Sequence, residues 1–164
     1  MALNDSFNWD TDTPQDHKDA FLKGFGVHRI LVPAGTEFYK LTQYPLVNPK
    51  NDSITPWWNY LHVTQVKLPD GRVITVPGFT DMQAAAARLN VTGEQFVRAR
   101  SAVTKQWNKM DGLLRVRLNL DAWGFFGRNA AMPLDNDLGK KVVFIGGAYQ
   151  VYIPKLARGD MTEI

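Results

Sequence analysis

Polar and apolar positions alternate most cleanly near the C-terminal third. Leu114, Val116, Leu118 and Leu120 are interleaved with Arg115, Arg117, Asn119 and Asp121. Period two over eight residues predicts a half-buried strand. Glu37–Thr42 alternates too, with Phe38, Lys40 and Thr42 on one face and Tyr39 and Leu41 on the other. Lys40 is a solvated residue if Tyr39 and Leu41 face the core, and a cation in a cleft if they do not. Arg29 to Val32 starts a short strand that ends at the turn Pro33-Ala34-Gly35-Thr36. Val63 to Leu68 and Arg72 to Val76 flank Pro69-Asp70-Gly71, which predicts a hairpin. In Lys141 to Pro154, a β-branched run from Val142 to Ile145 is interrupted by Gly146 and Gly147 and resumes from Tyr149 to Ile153. Paired glycines there mark either a kink where a backbone or ligand comes close, leaving the amide of Gln150 as a ligand contact, or a hairpin turn with Gln150 facing water.

The middle of the chain switches to a helical period. Thr80-Asp81-Met82-Gln83 and Thr92-Gly93-Glu94-Gln95 both fit a capping box, with Thr at the N-cap and Gln three residues on. They predict a short helix from about Asp81 to Leu89 and a longer one from about Gly93 to Met110. Phe96, Val103, Trp107 and Met110 form the buried stripe of the second, with Arg98, Lys105 and Lys109 largely off it.

Turn formers separate these segments. Pro45 to Thr55 is a loop that delivers Thr55-Pro56-Trp57-Trp58-Asn59-Tyr60, where the aromatic rings offer either core packing or a flat stacking surface. Trp123 to Arg128 carries two glycines among bulky aromatics and reads as a bend or bulge near a pocket or sheet edge. Pro133 to Gly139 reads as a polar loop. Residues 1–28 form an arm, with a short surface helix after Pro14 and a solvated His17; residues 29–157 form a single domain; residues 158–164 look frayed. The whole predicts an α+β fold: a mixed, mostly antiparallel β core in split sheets, with a helical pair in the middle of the chain.

Composition narrows the chemistry. The 164 residues hold 45% hydrophobic and 12% aromatic side chains, enough for a core in one domain. Net charge is +3, which permits an anionic partner without demanding one. Absence of cysteine excludes disulfides, thiolate metal sites and cysteine nucleophiles. No apolar run nears the ~20 residues of a membrane span, and the acidic, polar start is no signal peptide. The three histidines lack ligand spacing, so no metal is expected. There is no P-loop, dinucleotide fingerprint or nucleophile elbow. His62, at the base of the predicted hairpin, reads as structural. What remains is a Lys on an early strand, a Ser/Thr-Pro-Trp-Trp stretch, a basic helix and a late GG-x-x-Q strand.

In order, VPAGTEFYKLT, SITPWW, RSAVTKQWNKM, VRLNLDAWGFFGRNA and GGAYQVYIP span about Val32 to Pro154. This order resembles small bacterial toxin or effector domains of the ADP-ribosyltransferase superfamily, of the NAD-glycohydrolase or ADP-ribosyltransferase type. The resemblance lies in the order of weak motifs. It implies NAD as substrate, cleaved at the nicotinamide–ribose bond by hydrolysis or by ADP-ribose transfer to a target protein. It implies an immunity protein as a partner, action in the cytoplasm, and delivery from another cell by a secretion system that needs no signal peptide on the domain.

By the same resemblance the catalytic roles fall on Gln150 and Lys40. Substrate contacts fall on Tyr39, Ser53, Thr55, Trp57, Trp58, Arg100, Gly146 and Gly147, with Arg98 a weaker second to Arg100. Two positions depart from the family pattern. Lys40 stands where an Arg is usual and loses the bidentate fork, although it can still act as a point charge on phosphate. Gln150 stands where a Glu is usual and cannot act as a general base, which favours hydrolysis over transfer to protein. Residues 81–109 separately resemble the helix-turn-helix of small DNA-binding regulators, with Gln95, Arg98 and Arg100 toward the major groove; that reading would make nucleic acid the partner. A non-enzymatic, β-rich binding module is the third reading.

Overall fold

The computed structural model describes residues 1–90, 112–130 and 148–164, together with the backbone of Met132–Asp135 and Lys141–Phe144. Short helices α1 (Trp9–Asp12) and α2 (Gln15–Asp19) precede strands β1 (His28–Val32), β2 (Glu37–Thr42) and β3 (Trp57–Tyr60). A hairpin of β4 (Thr64–Lys67) and β5 (Val73–Val76) leads into α3 (Phe79–Arg88). β6 (Gly112–Leu118), β7 (Ala122–Arg128), β8 (Met132–Asp135), β9 (Lys141–Phe144), β10 (Tyr149–Tyr152) and β11 (Met161–Glu163) follow.

Seven strands form one antiparallel array in the order β1-β7-β10-β3-β2-β6-β11. It divides into two four-stranded halves that share β3. One is β1-β7-β10-β3 and the other β3-β2-β6-β11. The fold is therefore α+β with a mostly antiparallel, split β core, as the alternation patterns predict. The second helix of the predicted pair lies outside the described residues. Among the described residues no helix is long and apolar enough to cross a membrane.

One face of the array is the main core. Ile30, Val32, Phe38, Trp58, Tyr60, Val116, Leu118, Phe126 and Val151 are buried there, and Val66, Leu68 and Val76 of the β4–β5 hairpin join them. The opposite face carries Phe125, Tyr152 and Trp57, and the arm covers it with Phe7, Trp9 and Phe21. Tyr39 also leaves the main core and packs with Met82 and Phe79 of α3.

Several expectations are corrected. Trp123 to Arg128 is neither bend nor edge: β7 lies between β1 and β10. Its glycines answer close approaches. A Cβ at Gly127 would lie 2.5 Å from the Phe21 ring, so this glycine makes room for the arm. Part of the expected loop after Pro133 is strand, since β8 pairs with β9. The late apolar run is not one interrupted strand, because β9 pairs with β8 whereas β10 pairs with β7 and β3. The frayed end is instead an edge strand: β11 pairs with β6, and Arg158 bonds Asp52 at 2.9 Å. Only Met161 of this short strand is buried, too little for an apolar pattern to register. The N-cap of α3 is Gly78 rather than Thr80, with the Asp81 carboxylate accepting from the Gly78 N–H at 2.9 Å.

Gly78 sits against the backbone of the β3–β4 connection, where a Cβ would lie 2.8 Å from both Leu61 O and His62 C. Backbone atoms cannot yield as a side-chain tip can. Gly78→Ala is expected to destabilise the fold by about 1–3 kcal/mol, read as a lower urea midpoint; an unchanged midpoint would show that this junction has slack.

Candidate functional site

The shared strand creates the site. β3 pairs with β2 only at Phe38↔Tyr60 and Tyr39↔Asn59, and with β10 at Val151↔Trp58 and Tyr152↔Trp57. β2 continues along β6 as far as Thr42↔Gly112. Lys40, Leu41 and Thr42 therefore have β6 on one side and no β3 partner on the other. Pro56, just before β3, stays with the other half, its carbonyl accepting from the Ile153 N–H at 2.8 Å. The two halves fork here, and a cavity of about 850 Å³ opens between them.

Six of the residues singled out from the sequence line this cavity: Lys40, Ser53, Thr55, Trp57, Trp58 and Gln150. They come from β2, the loop before β3, β3 itself and β10. Tyr39 is not among them, because strand alternation sends it to α3, where burial raises its pKa to about 12. Arg98, Arg100, Gly146 and Gly147 lie outside the described residues, as does most of the helix-turn-helix segment.

Lys40 Nζ lies 3.4 Å from Thr55 Oγ1 and 3.4 Å from Trp57 O, both long for hydrogen bonds. The second acceptor is a β3 carbonyl at the fork. No carboxylate pairs with Lys40 among the described residues, and none lines the cavity. Burial without a counter-charge lowers the Lys40 pKa from 10.5 to about 8. The group remains mostly an ammonium at neutral pH, poorly satisfied and facing a space with no carboxylate among its described lining residues.

Gln150 is buried, with 8% of its surface exposed, rather than facing water. Its Nε2 donates to the arm carbonyl of Ala20 at 3.3 Å. That bond uses one of the two N–H donors of the amide, which leaves the second N–H and the carbonyl oxygen as groups a ligand could meet. Asn59 is held in the same sense, its Nδ2 donating to Tyr149 O at 2.9 Å. Thr55 accepts from the Trp57 N–H at 3.4 Å, and its carbonyl accepts from the indole of Trp58 at 2.9 Å. Trp58 is thus a core residue that pins the Thr-Pro-Trp turn. It is 1% exposed and offers no stacking surface. Ser53 spends its hydroxyl on Asn51 Oδ1 at 2.6 Å.

The arm takes part. His17 is half-buried, not simply solvated. Its Nδ1 lies 2.9 Å from the Tyr152 hydroxyl, and its ring meets Trp57 edge-on at 5.5 Å. Phe21 and Tyr152 complete the surround of Trp57 at 5.6 and 4.7 Å. Burial, with the charge of Asp16, raises the Tyr152 pKa. His62 is exposed and bonds Glu37 at 2.8 Å, away from the cavity lining. Sequence reasoning missed Asn59, Asn129, Thr42, Asn48 and Lys50 in the cavity wall. Isolated polar residues in loops and strand ends carry no periodic signal, so only the fork brings them together.

No protein-family pattern and no curated sequence matches the chain. Among solved structures, the fold is similar to Tne2, solved in complex with Tni2, at 12% identity and a TM-score of 0.52. That match covers 88% of this chain and 92% of the Tne2 chain. Tse6, solved in complex with Tsi6, aligns at 12% identity and a TM-score of 0.44, over 99% of this chain and 91% of that one. At this identity the Tne2 match shows a shared fold.

Lys40 also tests the electrostatics through stability. Its folded pKa lies below its unfolded value, so the folded state bears a desolvation cost below pH 8. That cost fades as pH climbs toward 10.5, because the folded protein gives up its proton first. Lys40→Met is expected to stabilise the fold at pH 7 by on the order of 1–3 kcal/mol, with the gain shrinking from pH 8 upward. Urea unfolding across that range checks it; a loss of stability at pH 7 would mean that the ammonium is well compensated.

Proposed function

We propose that this chain is a toxin-type domain that consumes NAD by cleaving the bond between nicotinamide and ribose. The observation that carries the reading is the convergence of Lys40, Thr55, Trp57 and Gln150, from separate segments, on one cavity that holds a cation and no carboxylate among its described lining. In this reading the Lys40 ammonium takes the NAD diphosphate as a point charge. Trp57 borders the nicotinamide end, and the Gln150 carbonyl accepts from the adjacent ribose.

The chemistry suits an amide in place of a carboxylate. The leaving group departs as neutral nicotinamide, taking the electron pair of the C–N bond, and needs no proton. The ribosyl cation left behind is captured by water, which then loses a proton to solvent. No general base is required at the bond-breaking step, so positioning and electrostatics carry the rate. Gln150 cannot activate a protein nucleophile, which favours water over a protein acceptor. Arg100, Gly146 and Gly147 keep their proposed substrate contacts from the family resemblance.

The same reading makes the domain an effector that acts in the cytoplasm of a recipient cell after delivery by a secretion machine. An immunity protein would be its partner. Tne2 was solved with a second protein, Tni2, and an equivalent complex is proposed for this chain.

Incubation with NAD, followed by chromatography of released nicotinamide, tests the proposal. Gln150→Ala is expected to lower turnover at least 10²-fold while leaving the fold intact. Lys40→Ala is expected to raise KM more than it lowers kcat, since a phosphate contact serves ground and transition states alike. Wild-type affinity is expected to weaken above pH 8 as Lys40 deprotonates. No nicotinamide release at any enzyme concentration, with or without candidate acceptors, would overturn the proposal.

A further inference from the structure

The fork does more to Lys40 than create an anion contact. A neutral lysine has two N–H bonds and one lone pair. Nζ has two acceptors within reach, Thr55 Oγ1 and Trp57 O, each at 3.4 Å. Both belong to the β3 side of the fork. When the amine is neutral, those acceptors take its two N–H bonds, and the lone pair is left for an incoming group from the cavity. No carboxylate holds Nζ in the ammonium form among the described residues. The cavity, at about 850 Å³, admits a small organic molecule.

We propose that Lys40 is a carbonyl-reactive amine, and that the cavity captures small aldehydes bearing a phosphate as imines on Lys40 Nζ. The inference does not depend on NAD chemistry. The Nζ lone pair attacks the aldehyde carbon, and the carbonyl oxygen gains a proton to give a carbinolamine. The hydroxyl group then leaves together with the remaining N–H proton as water, which forms the C=N bond, so amine plus aldehyde gives imine plus one water. A desolvated lysine is the usual setting for this chemistry, because burial raises the share of neutral amine at neutral pH. Lys23, Lys67 and Lys155 supply an internal comparison, since all three are exposed. Lys50 lies at the same cavity and provides a second cation for the phosphate of the aldehyde.

Pyridoxal 5′-phosphate is the probe, at low stoichiometry and pH 7, with borohydride reduction and peptide mapping. The expected result is label on Lys40 at least ten-fold above each of these three exposed lysines, suppressed by inorganic pyrophosphate. Lys40→Arg is expected to lose that label and keep the slow background on the others. Label spread evenly over exposed lysines, or Lys40 among the least labelled, would overturn the proposal. Mapping on the wild-type protein decides the matter even if the variant folds poorly. Label on Lys40 that pyrophosphate does not suppress would overturn the phosphate requirement.

Discussion

Four residues, Trp57–Tyr60, must serve two half-sheets at once. β3 gives its first two residues to β10 and its last two to β2. A strand this short cannot satisfy both neighbours along its whole length, so the halves part at its N-terminal end. Everything at the cavity follows from that division. It leaves β2 without a β3 partner from Lys40 onward, paired with β6 alone, and sets the ammonium near Trp57 O. It also sets Gln150 beside the same opening. Trp58, locked in the core with its indole on Thr55 O, keeps the fork from collapsing. The Lys40 ammonium in the gap has only two long contacts, and an under-satisfied donor is what a ligand can use.

The arm is the second constraint. Phe7, Trp9 and Phe21 cover the face of the sheet that carries Phe125, Tyr152 and Trp57. Without that cover those rings would form an exposed apolar patch. The contact reaches the site through a backbone group, because Ala20 O accepts one amide hydrogen of Gln150, a residue that lines the cavity. Gly127 is what lets Phe21 lie so close. A segment that reads as a polar leader thus orients a residue 130 positions away.

Much of this was legible in the sequence, and the limits have physical causes. Local period-two patterns located β2 and β6, and turn chemistry bounded β1 and located the β4–β5 hairpin, because these signals depend on neighbours along the chain. The same local logic failed for β7, where a central strand buried on both faces loses alternation and its glycines mimic a bend. It failed for β11, where three residues hold one buried side chain. Tyr39 and Lys40 illustrate the division at the site. Alternation places them on opposite faces but cannot say which face meets a cavity; the fork decides, sending Lys40 toward Thr55 and Trp57 and Tyr39 to α3. Gln150 was readable as a polar residue in a strand, while its orientation by the arm was not.

The central claim is that the fork holds a half-buried, under-compensated ammonium ready for an anion. The most direct measurement is the NMR titration of Lys40, following the side-chain Cε and Nζ resonances from pH 6 to 11, with and without inorganic pyrophosphate. The account predicts an apparent pKa near 8 in the free protein, moving upward when pyrophosphate binds, because an anion favours the charged form. A value near 10.5 in the free protein, or one that pyrophosphate leaves unmoved, would contradict it.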